Sequence, residues 1–262
     1  MQPRAPFAPN ATLVDREDLT PTIARLRVRP DDSPPAFRAG QYFAMGLAID
    51  GRWIQRPYSA AGSPGEAGAL DFLVRLVPGG ALTPHLWRLR PGRRVRLGPP
   101  KGLFALEPGD RRRHLLVSTG TGIAPLLAML ETLLGPPGAA PGGSHSDVPI
   151  VVHGVATAPE LADRARLERL AADGIIVYVP AVSRPADPLN RGWSGLVGRL
   201  DALVDAIAAE AALDPGSTVA YLCGNPAMVA AVAPRLAALG LPAGAVRAEQ
   251  YWTPPVSDPP AA

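Results

Sequence analysis

The pattern of hydrophobic and polar positions divides the chain into two parts with different predicted secondary structure. Between residues 11 and 106, short β-rich or alternating runs are separated by clusters of glycine, proline, aspartate and serine, which is typical of strands joined by turns. The predicted strands are residues 12–14, 23–28, 41–45, 70–77 and 94–97, with one short helix at residues 83–89. Such closely spaced strands favour a β-barrel over βαβ units.

The pattern changes after a polar stretch at residues 107–112, where strand-like runs begin to alternate with helix-like runs. The predicted strands are residues 114–117, 150–155, 175–179, 219–222 and 245–248, and the predicted helices are residues 125–134, 159–172, 200–212 and 227–239. This alternation predicts a doubly wound parallel sheet with helices on both faces. We therefore assign residues 1–108 to a barrel domain and residues 109–262 to an α/β domain. An exposed loop is expected at residues 135–147 and a disordered tail at residues 253–262.

Composition is that of an ordinary globular protein, with 262 residues, 47% hydrophobic and 19% charged, which suffices for two cores. No apolar run approaches the length of a membrane span, and residues 1–10 lack the apolar segment of a signal peptide. We therefore expect a cytoplasmic protein that does not enter membranes. The single cysteine excludes a disulfide framework and a cysteine-ligated iron–sulfur cluster within this sequence, and no metal site is predicted.

Positive charge is concentrated between residues 88 and 113, although the net charge of the chain is only +3. The cations of this stretch are Arg88, Arg90, Arg93, Arg94, Arg96, Lys101, Arg111, Arg112 and Arg113. Two interpretations stay open: a solvated arginine-rich face, or a docking surface that attracts an acidic protein partner. No motif for RNA or DNA binding accompanies the charge, so nucleic acid is not an expected partner.

The clearest chemical signal is the sequence STGTGIAP at residues 118–125, between a predicted strand and a predicted helix. Gly120 and Gly122 permit tight backbone dihedrals and the close approach of a ligand. The helix N-terminus behind them presents free N–H groups to an anion, and Pro125 fits its first turn. The segment fits either a phosphate-binding turn or a glycine-rich turn without a ligand.

Five motifs occur in a fixed order along the chain. They are RPYS at residues 56–59, GGALT at 79–83, GTGIAP at 120–125, CGNP at 223–226 and AEQYW at 248–252. In this order they resemble the ferredoxin/flavodoxin–NADP reductase family, and most closely its bacterial type, over about residues 12–252. The resemblance implies an antiparallel Greek-key FAD domain followed by an NADP-binding α/β domain, with FAD and NADP(H) as cofactors.

By this resemblance the first domain holds FAD through the motif at residues 56–59. Arg56, followed by Pro57, pairs with the pyrophosphate, for which a planar guanidinium is well suited. Tyr58 covers one face of the isoalloxazine, and the Ser59 hydroxyl approaches N5, where it can donate or accept a hydrogen bond.

Two further segments are expected to touch FAD by the same resemblance. A second pyrophosphate site is implied at the start of the short helix, formed by Gly80, Ala81, Leu82 and Thr83. Thr83 fits an ordinary N-cap equally well. The strand residues Arg75, Leu76 and Val77 are implied to border the ribityl and adenine portions.

The second domain is implied to hold NADP(H). Thr121 and Gly122 match the pyrophosphate position, and Ser183, Arg184 and Arg199 match the 2′-phosphate ligands. Gly224, Asn225 and Met228 match residues that flank the nicotinamide ribose and pyrophosphate. The chain departs from some relatives after the second α/β strand, where His153-Gly154-Val155-Ala156-Thr157 lacks an arginine that they place there.

The implied catalytic residues are Tyr58, Ser59, Cys223 and Glu249. The resemblance puts Cys223 beside the nicotinamide and flavin, and Glu249 works with Ser59 as a proton path or an electrostatic aid. Tyr251 and Trp252 are implied to fold back over FAD.

The implied activity is hydride exchange between NADPH and FAD, followed by single-electron exchange with an acidic ferredoxin or flavodoxin, in a monomer. Three alternatives stay open: the reductase component of an oxygenase system, a flavohaemoglobin-type reductase module, and a non-enzymatic flavin-binding regulator. The joint presence of Ser59, Cys223 and Glu249 argues against the last, since a scaffold needs only the FAD contacts.

Overall fold

A computed structural model describes residues 8–33, 36–63, 68–135, 148–242 and 244–251. The elements described in the first domain are β1 (Ala11–Thr20), β2 (Ile23–Pro30), β3 (Tyr42–Ile49), β4 (Arg52–Ser59), β5 (Leu70–Arg75), α1 (Thr83–Trp87) and β6 (Arg94–Lys101). The six strands form one antiparallel sheet in the order β4-β3-β6-β1-β2-β5. Turns and loops rich in glycine and proline join them, as the sequence pattern predicts.

The sheet of the first domain curls around an apolar core. Alternate positions of its strands point inwards, and Leu13, Leu26 and Phe43 are each at most 1% exposed. The two edge strands approach each other at one bridge, between Ala60, just after β4, and Phe72 in β5. The predicted antiparallel first domain is confirmed, although among the described residues β4 and β5 are joined by that bridge rather than by a closed ladder.

The second domain begins with a strand that is buried at every position but its last, and it alternates strands with helices. Its described elements are β7 (Arg113–Thr119), α2 (Ile123–Leu134), β8 (Ile150–Val155), α3 (Arg164–Ala172), β9 (Val177–Val182), β10 (Leu196–Val197), α4 (Leu200–Glu210), β11 (Thr218–Gly224), α5 (Pro226–Ala238) and β12 (Val246–Gln250). All six strands pair in parallel, in the order β10-β9-β8-β7-β11-β12. The predicted doubly wound sheet is confirmed.

Helices cover both faces of the parallel sheet. On one face α2 and α3 pack through Leu126, Leu130 and Leu167. On the other face α4 and α5 pack through residues such as Val204 and Val232. Because both faces of the sheet are buried, the sequences of the central strands are continuous apolar runs and do not alternate between apolar and polar residues.

The two domains share part of a core, which we call the domain seam. Ala61, Leu73, Phe104 and Leu106 of the first domain join the cluster formed by α2, α3 and one face of the parallel sheet. Polar links cross the same boundary: Arg25 pairs with Asp163, Arg75 Nη2 lies 2.6 Å from Glu160 Oε2, and the Ser63 N–H donates to Glu131 Oε2 at 2.7 Å. Both apolar and ionic contacts therefore fix one domain against the other.

Several element boundaries differ from those predicted. Strand β4 was not predicted, because its edge position leaves most of its side chains partly exposed and without apolar alternation. Helix α3 begins at Arg164 rather than at 159, since Asp163 adopts a left-handed φ of 56° that interrupts the helix. The strand predicted at 70–77 ends at Arg75, and β9 extends to Val182. Of the loop predicted at 135–147, residues 136–147 lie outside the described residues, as does the predicted tail at 253–262.

Candidate functional site

The carboxyl end of β4 carries the motif predicted to bind flavin. Pairing with β3 puts Ser59 opposite Tyr42. Arg56 is exposed, Tyr58 packs partly buried against the core of the first domain, and Ser59 is only 4% exposed. Burial raises the pKa of Tyr58, and the nearby Arg56 opposes this, so the phenol is protonated at neutral pH. The motif thus presents a cation, an aromatic ring and a hydroxyl close together.

Side chains from both domains meet at Ser59. Its hydroxyl donates to Oε1 of Glu249 on β12 across 3.3 Å and accepts a hydrogen bond of 2.9 Å from the Tyr251 hydroxyl. Burial raises the pKa of Glu249, and the hydrogen bond from Ser59 partly offsets that rise. The Glu249 carboxyl can therefore hold a proton at a higher pH than an exposed glutamate.

Cys223 joins this group through strand pairing. It lies on β11, directly opposite Glu249 of β12 in parallel register, and is fully buried. Burial raises the pKa of the thiol well above its ordinary value, with a further rise from Glu249 and an opposing hydrogen bond from Tyr251. The thiol is thus protonated, which suits a small polarizable contact residue and not a thiolate nucleophile. We call Ser59, Cys223, Glu249 and Tyr251 the Ser59 cluster.

The glycine-rich turn after β7 lies against the end of β11. A Cβ at Gly122 would collide with the carbonyl oxygen of Cys223, and a Cβ at Gly224 would collide with the Thr119 hydroxyl. Gly120 has a left-handed φ of 55°, which glycine adopts without strain. Glycine at these positions therefore brings the turn, with Thr121, next to Cys223, and the predicted nucleotide turn and the Ser59 cluster are neighbours.

Arg75, expected along the flavin, lies at the domain seam. Its guanidinium pairs with Glu160, and a Cβ at Gly120 would come within 3.1 Å of Arg75 Nη2. The cation is therefore beside the glycine-rich turn of the second domain. Leu76 and Val77 continue from it past the end of β5, both partly exposed.

Thr83 does not cap helix α1. Leu82 occupies the N-cap position without a side-chain hydrogen bond, so the N-cap interpretation of Thr83 is wrong. The Thr83 hydroxyl instead accepts from Val77 N at 2.9 Å and donates to Val77 O at 3.2 Å. These two bonds tie the helix to the chain after β5, with Gly80 and Ala81 in the loop between them.

The residues expected at the 2′-phosphate follow β9 and β10. Ser183 and Arg184 are both exposed just after β9. Arg199 is also exposed, but its Nε lies 3.1 Å from Asp201 Oδ1 in an ion pair. Arg184 is thus the better placed of the two arginines to meet an added phosphate, because Arg199 already has a carboxylate partner.

The remaining predicted contacts fall in different environments. The Asn225 side chain caps helix α5, because its Oδ1 accepts from the Ala227 backbone N–H at 2.8 Å. The backbone N–H of Asn225 donates to the Thr119 hydroxyl. Met228 is 2% exposed and lies in the core under α5. Trp252 lies outside the described residues.

Two polar residues near the site were not singled out from the sequence. Glu160 partners Arg75, and His153 is fully buried beneath the glycine-rich turn. The signal for His153 was available, since it is the one ionisable residue in the otherwise apolar strand β8. The local sequence does not indicate that Glu160 pairs with Arg75, because the two residues are 85 positions apart in the chain.

The donor set fits a flavin and a nicotinamide dinucleotide. Arg56 hydrogen-bonds to the neighbouring Gln55 carbonyl at 2.8 Å, from which an exposed guanidinium can turn to a phosphate. The Ser59 hydroxyl is already held between a donor and an acceptor, and Thr121 lies in the 3₁₀ turn Gly120–Gly122 that precedes helix α2. No group of three or more metal-ligating side chains occurs among the described residues, and no described helix is long and apolar enough to span a membrane.

Comparison with known proteins agrees with this geometry. Residues 10–106 match the oxidoreductase FAD-binding domain family, and residues 116–234 match the oxidoreductase NAD-binding domain family. Fold and site together define a flavoprotein oxidoreductase that uses FAD and a nicotinamide dinucleotide.

More specifically, the chain belongs to the ferredoxin–NADP reductase family. It is 33% identical to ferredoxin–NADP reductase B of Sorangium cellulosum over 247 residues, 92% of this chain and 96% of that protein. It is 32% identical to the ferredoxin–NAD(P)+ reductase component of the naphthalene 1,2-dioxygenase system of Pseudomonas putida, over 92% of this chain and 68% of that protein. Among solved structures, the Amycolatopsis cytochrome P450 reductase GcoB superposes with a TM-score of 0.76 at 28% identity, over 92% of this chain and 69% of that one.

Proposed function

We propose that this protein is an FAD-dependent ferredoxin/flavodoxin–NADP+ oxidoreductase. It would exchange hydride between NADPH and N5 of FAD, and single electrons with a ferredoxin or flavodoxin. The observation that carries the proposal is the hydrogen bond between Ser59 and Glu249, with Cys223 and Tyr251 alongside. The Sorangium relative, matched over 96% of its length, supports this choice of reaction.

Bound FAD supplies the switch between two-electron and one-electron transfer, and the chain supplies position and protons. Arg56 neutralises phosphate charge, and Tyr58 offers a flat protonated ring. Ser59 Oγ holds its hydroxyl proton towards Glu249 Oε1. Because burial raises the pKa of Glu249, this carboxyl can store a proton and return it through Ser59.

Preference for NADP over NAD is assigned to the exposed loop after β9. An always-charged guanidinium at Arg184, with the hydroxyl of Ser183, suits a 2′-phosphate. Arg199 contributes less, because Asp201 partly neutralises it. Arg191, exposed in the same loop, is a further cation within the region.

The partner is proposed to be an acidic electron-transfer protein that meets the arginine-rich stretch. Four members of that stretch are already engaged. Arg94 pairs with Asp31, and Arg112 pairs with Asp110. Arg96 Nη1 donates to the Ala8 carbonyl, and the buried Arg113 donates through Nη1 to the Ala211 carbonyl. The exposed cations that remain in the described part of the stretch are Arg88, Arg90, Arg93, Lys101 and Arg111. The docking surface is therefore smaller than the sequence predicts.

A second candidate function is the reductase component of an oxygenase system. Two relatives of that kind are 32% and 31% identical to this chain, and the cytochrome P450 reductase shares its fold at 28% identity. The same two cofactors serve both reactions, so the Ser59 cluster fits either. The two candidates differ only in the protein that accepts the electrons.

The deciding experiment follows flavin reduction and then acceptor reduction. Anaerobic mixing with NADPH should bleach the flavin, and acidic ferredoxins and flavodoxins should then be reduced faster than oxygenase components. Replacing Arg90 and Arg93 by glutamate should slow ferredoxin reduction but not ferricyanide reduction, whereas the Arg169→Glu variant on α3 should behave like the parent. Protein that is bleached by neither NADPH nor NADH would reject both candidates.

A further inference from the structure

His153 is a buried histidine that holds the glycine-rich turn from below. It lies on β8 opposite Ser118 of β7, and its side chain is fully buried. Its Nε2 lies 2.9 Å from the carbonyl oxygen of Gly120. A carbonyl can only accept, so Nε2 carries the proton and donates it.

The opposite ring nitrogen has no partner among the described residues. Nδ1 of His153 is buried and makes no hydrogen bond there, so the ring is a neutral donor with a fixed tautomer. Burial lowers the pKa of His153 to about 4, while the Gly120 carbonyl, Glu160 and Asp163 oppose the fall. Burying a polar atom without a partner lowers the stability of the fold. The hydrogen bond from Nε2 to the Gly120 carbonyl is a reason for a histidine at this position.

The hydrogen bond fixes the orientation of one peptide group. Gly120 O accepts both from His153 and from Ile123 N, so its two lone pairs are used on the inner side of the turn. A peptide bond is planar, and in the trans form its N–H points away from its C=O. The Thr121 N–H therefore points outwards from the turn. At the start of a helix this N–H has no intrahelical acceptor.

We infer that His153 is a positioning residue for the pyrophosphate of the nicotinamide dinucleotide, because it holds the Gly120–Thr121 peptide with its N–H turned towards the ligand. The inference rests on the proposed dinucleotide site and extends it to a residue that does not touch the ligand. It is independent of which protein accepts electrons. Pyrophosphate is common to NADPH and NADH, so His153 affects both equally, in contrast to Arg184.

The test is calorimetric titration of the FAD-loaded protein with NADP+ and with NAD+. His153→Leu removes the donor, and it should raise both dissociation constants by about tenfold. His153→Gln carries an amide N–H at a similar distance from the backbone and should restore most of the affinity, whereas the shorter His153→Asn should not. In steady state, KM should rise for both nucleotides with little change in kcat.

His114 provides the matched control. It is also a buried histidine with an unpartnered Nε2 among the described residues, but it stacks on Tyr221 and does not contact the turn. His114→Leu should lower stability without changing either dissociation constant. Equal affinities for the parent and His153→Leu, or equal losses in the Gln and Asn variants, would overturn the inference. A parent protein that binds neither nucleotide would instead reject the proposed function.

If His153→Leu does not fold, the Gln and Asn variants still test whether His153 positions the Gly120–Thr121 peptide. Both keep a polar amide in the buried pocket, and they differ in whether that amide reaches Gly120 O. Tighter binding of both nucleotides by the Gln variant supports the inference, and equal binding overturns it.

Discussion

Ser59 and Glu249 are separated by 190 residues and belong to different domains, yet their side chains are hydrogen-bonded at 3.3 Å. Ser59 ends a strand of the antiparallel sheet, and Glu249 lies on the edge strand of the parallel sheet. The bond thus forms only when both domains are folded and docked. It joins a hydroxyl that can relay a proton to a carboxyl whose pKa is raised by burial.

Replacing Glu249 by glutamine tests this relay. Glutamine keeps a hydrogen-bonding group beside Ser59 but cannot take up a proton, so turnover should fall about 100-fold, the low end of general acid–base contributions. The dependence of kcat on pH should lose the limb that reports this carboxyl. Glu210→Gln, at the exposed end of α4, should match the parent. Unchanged turnover with an unchanged pH profile would remove Glu249 from proton transfer.

Replacing Arg184 by alanine tests nucleotide preference. Loss of a charge-assisted hydrogen bond should raise the KM for NADPH by roughly 10- to 100-fold and leave the KM for NADH within about twofold. Arg199→Ala should have a smaller effect, because Asp201 already pairs with that side chain. Arg169→Ala, exposed on α3, is the matched control. Equal effects on both nucleotides would place Arg184 away from the 2′-phosphate.

Cys223 should resist thiol reagents in the folded protein. The side chain is fully buried, so a reagent cannot reach the sulfur. Burial also raises the pKa of the thiol, so little of the reactive thiolate is present. A chromogenic disulfide at pH 8 should label native protein very slowly and label one thiol per chain after unfolding in guanidinium, since the sequence has one cysteine. Rapid labelling of the native state would show that the Cys223 thiol is accessible in the folded protein.

The ion pair between Arg25 and Asp163 should stabilise the domain seam. The side chains are 16% and 15% exposed, and Arg25 also lies near Glu17 and Asp71. Arg25→Met removes the shared cation, while Asp71 keeps Arg27 and Asp163 keeps Arg166, so it should cost about 2 kcal/mol in urea unfolding. Asp163→Asn should cost less, because Arg25 keeps its other partners and asparagine tolerates the left-handed backbone.

An exposed pair serves as the control for the seam. Arg235 and Asp205 are both about half exposed, so Arg235→Ala should leave the unfolding midpoint almost unchanged. If Arg25→Met proves as mild as this control, the Arg25–Asp163 pair does not stabilise the seam.

The contribution of His153 to the free energy of unfolding should rise with pH between about 4 and 6.5. His153 has a pKa of about 4 when folded and near 6.5 when unfolded, so the unfolded chain binds more protons in this window. The contribution of His153 to the free energy of unfolding is complete above pH 6.5 and is lost as the pH falls towards 4. It amounts to about 3 kcal/mol. Burial also lowers the pKa of His114, which acts in the same direction, whereas the raised pKa of Glu249 acts in the opposite direction, so the His153 share is isolated by comparing variants.

The His153→Gln variant should flatten this dependence, because glutamine does not titrate. Unfolding free energies at pH 5 and pH 7 should differ less in His153→Gln than in the parent. His114→Gln should remove only its own share. An identical pH dependence in His153→Gln and the parent would show that His153 is not buried and neutral in the folded state.

Local sequence was enough to locate most strands and helices. The apolar run of β7 and the helical spacing in α2 follow from burial on both sheet faces and from the period of the helix. Strand β4 was missed because an edge strand with exposed polar side chains lacks that periodic signal. The start of α3 was misplaced because a single left-handed residue, Asp163, interrupts a stretch that otherwise favours helix.

The sequence by itself determined the two-domain order and the residue types at the site, because hydrophobic period, glycine turns and short motifs are local properties of the chain. Only the tertiary structure decided which of those residues touch. Ser59 meets Glu249 and Tyr251, Arg75 meets Glu160 at the seam, and His153 supports the turn at Gly120. These contacts depend on strand order and domain docking, and the free energy that selects them comes from burial summed over both domains, which no local segment encodes.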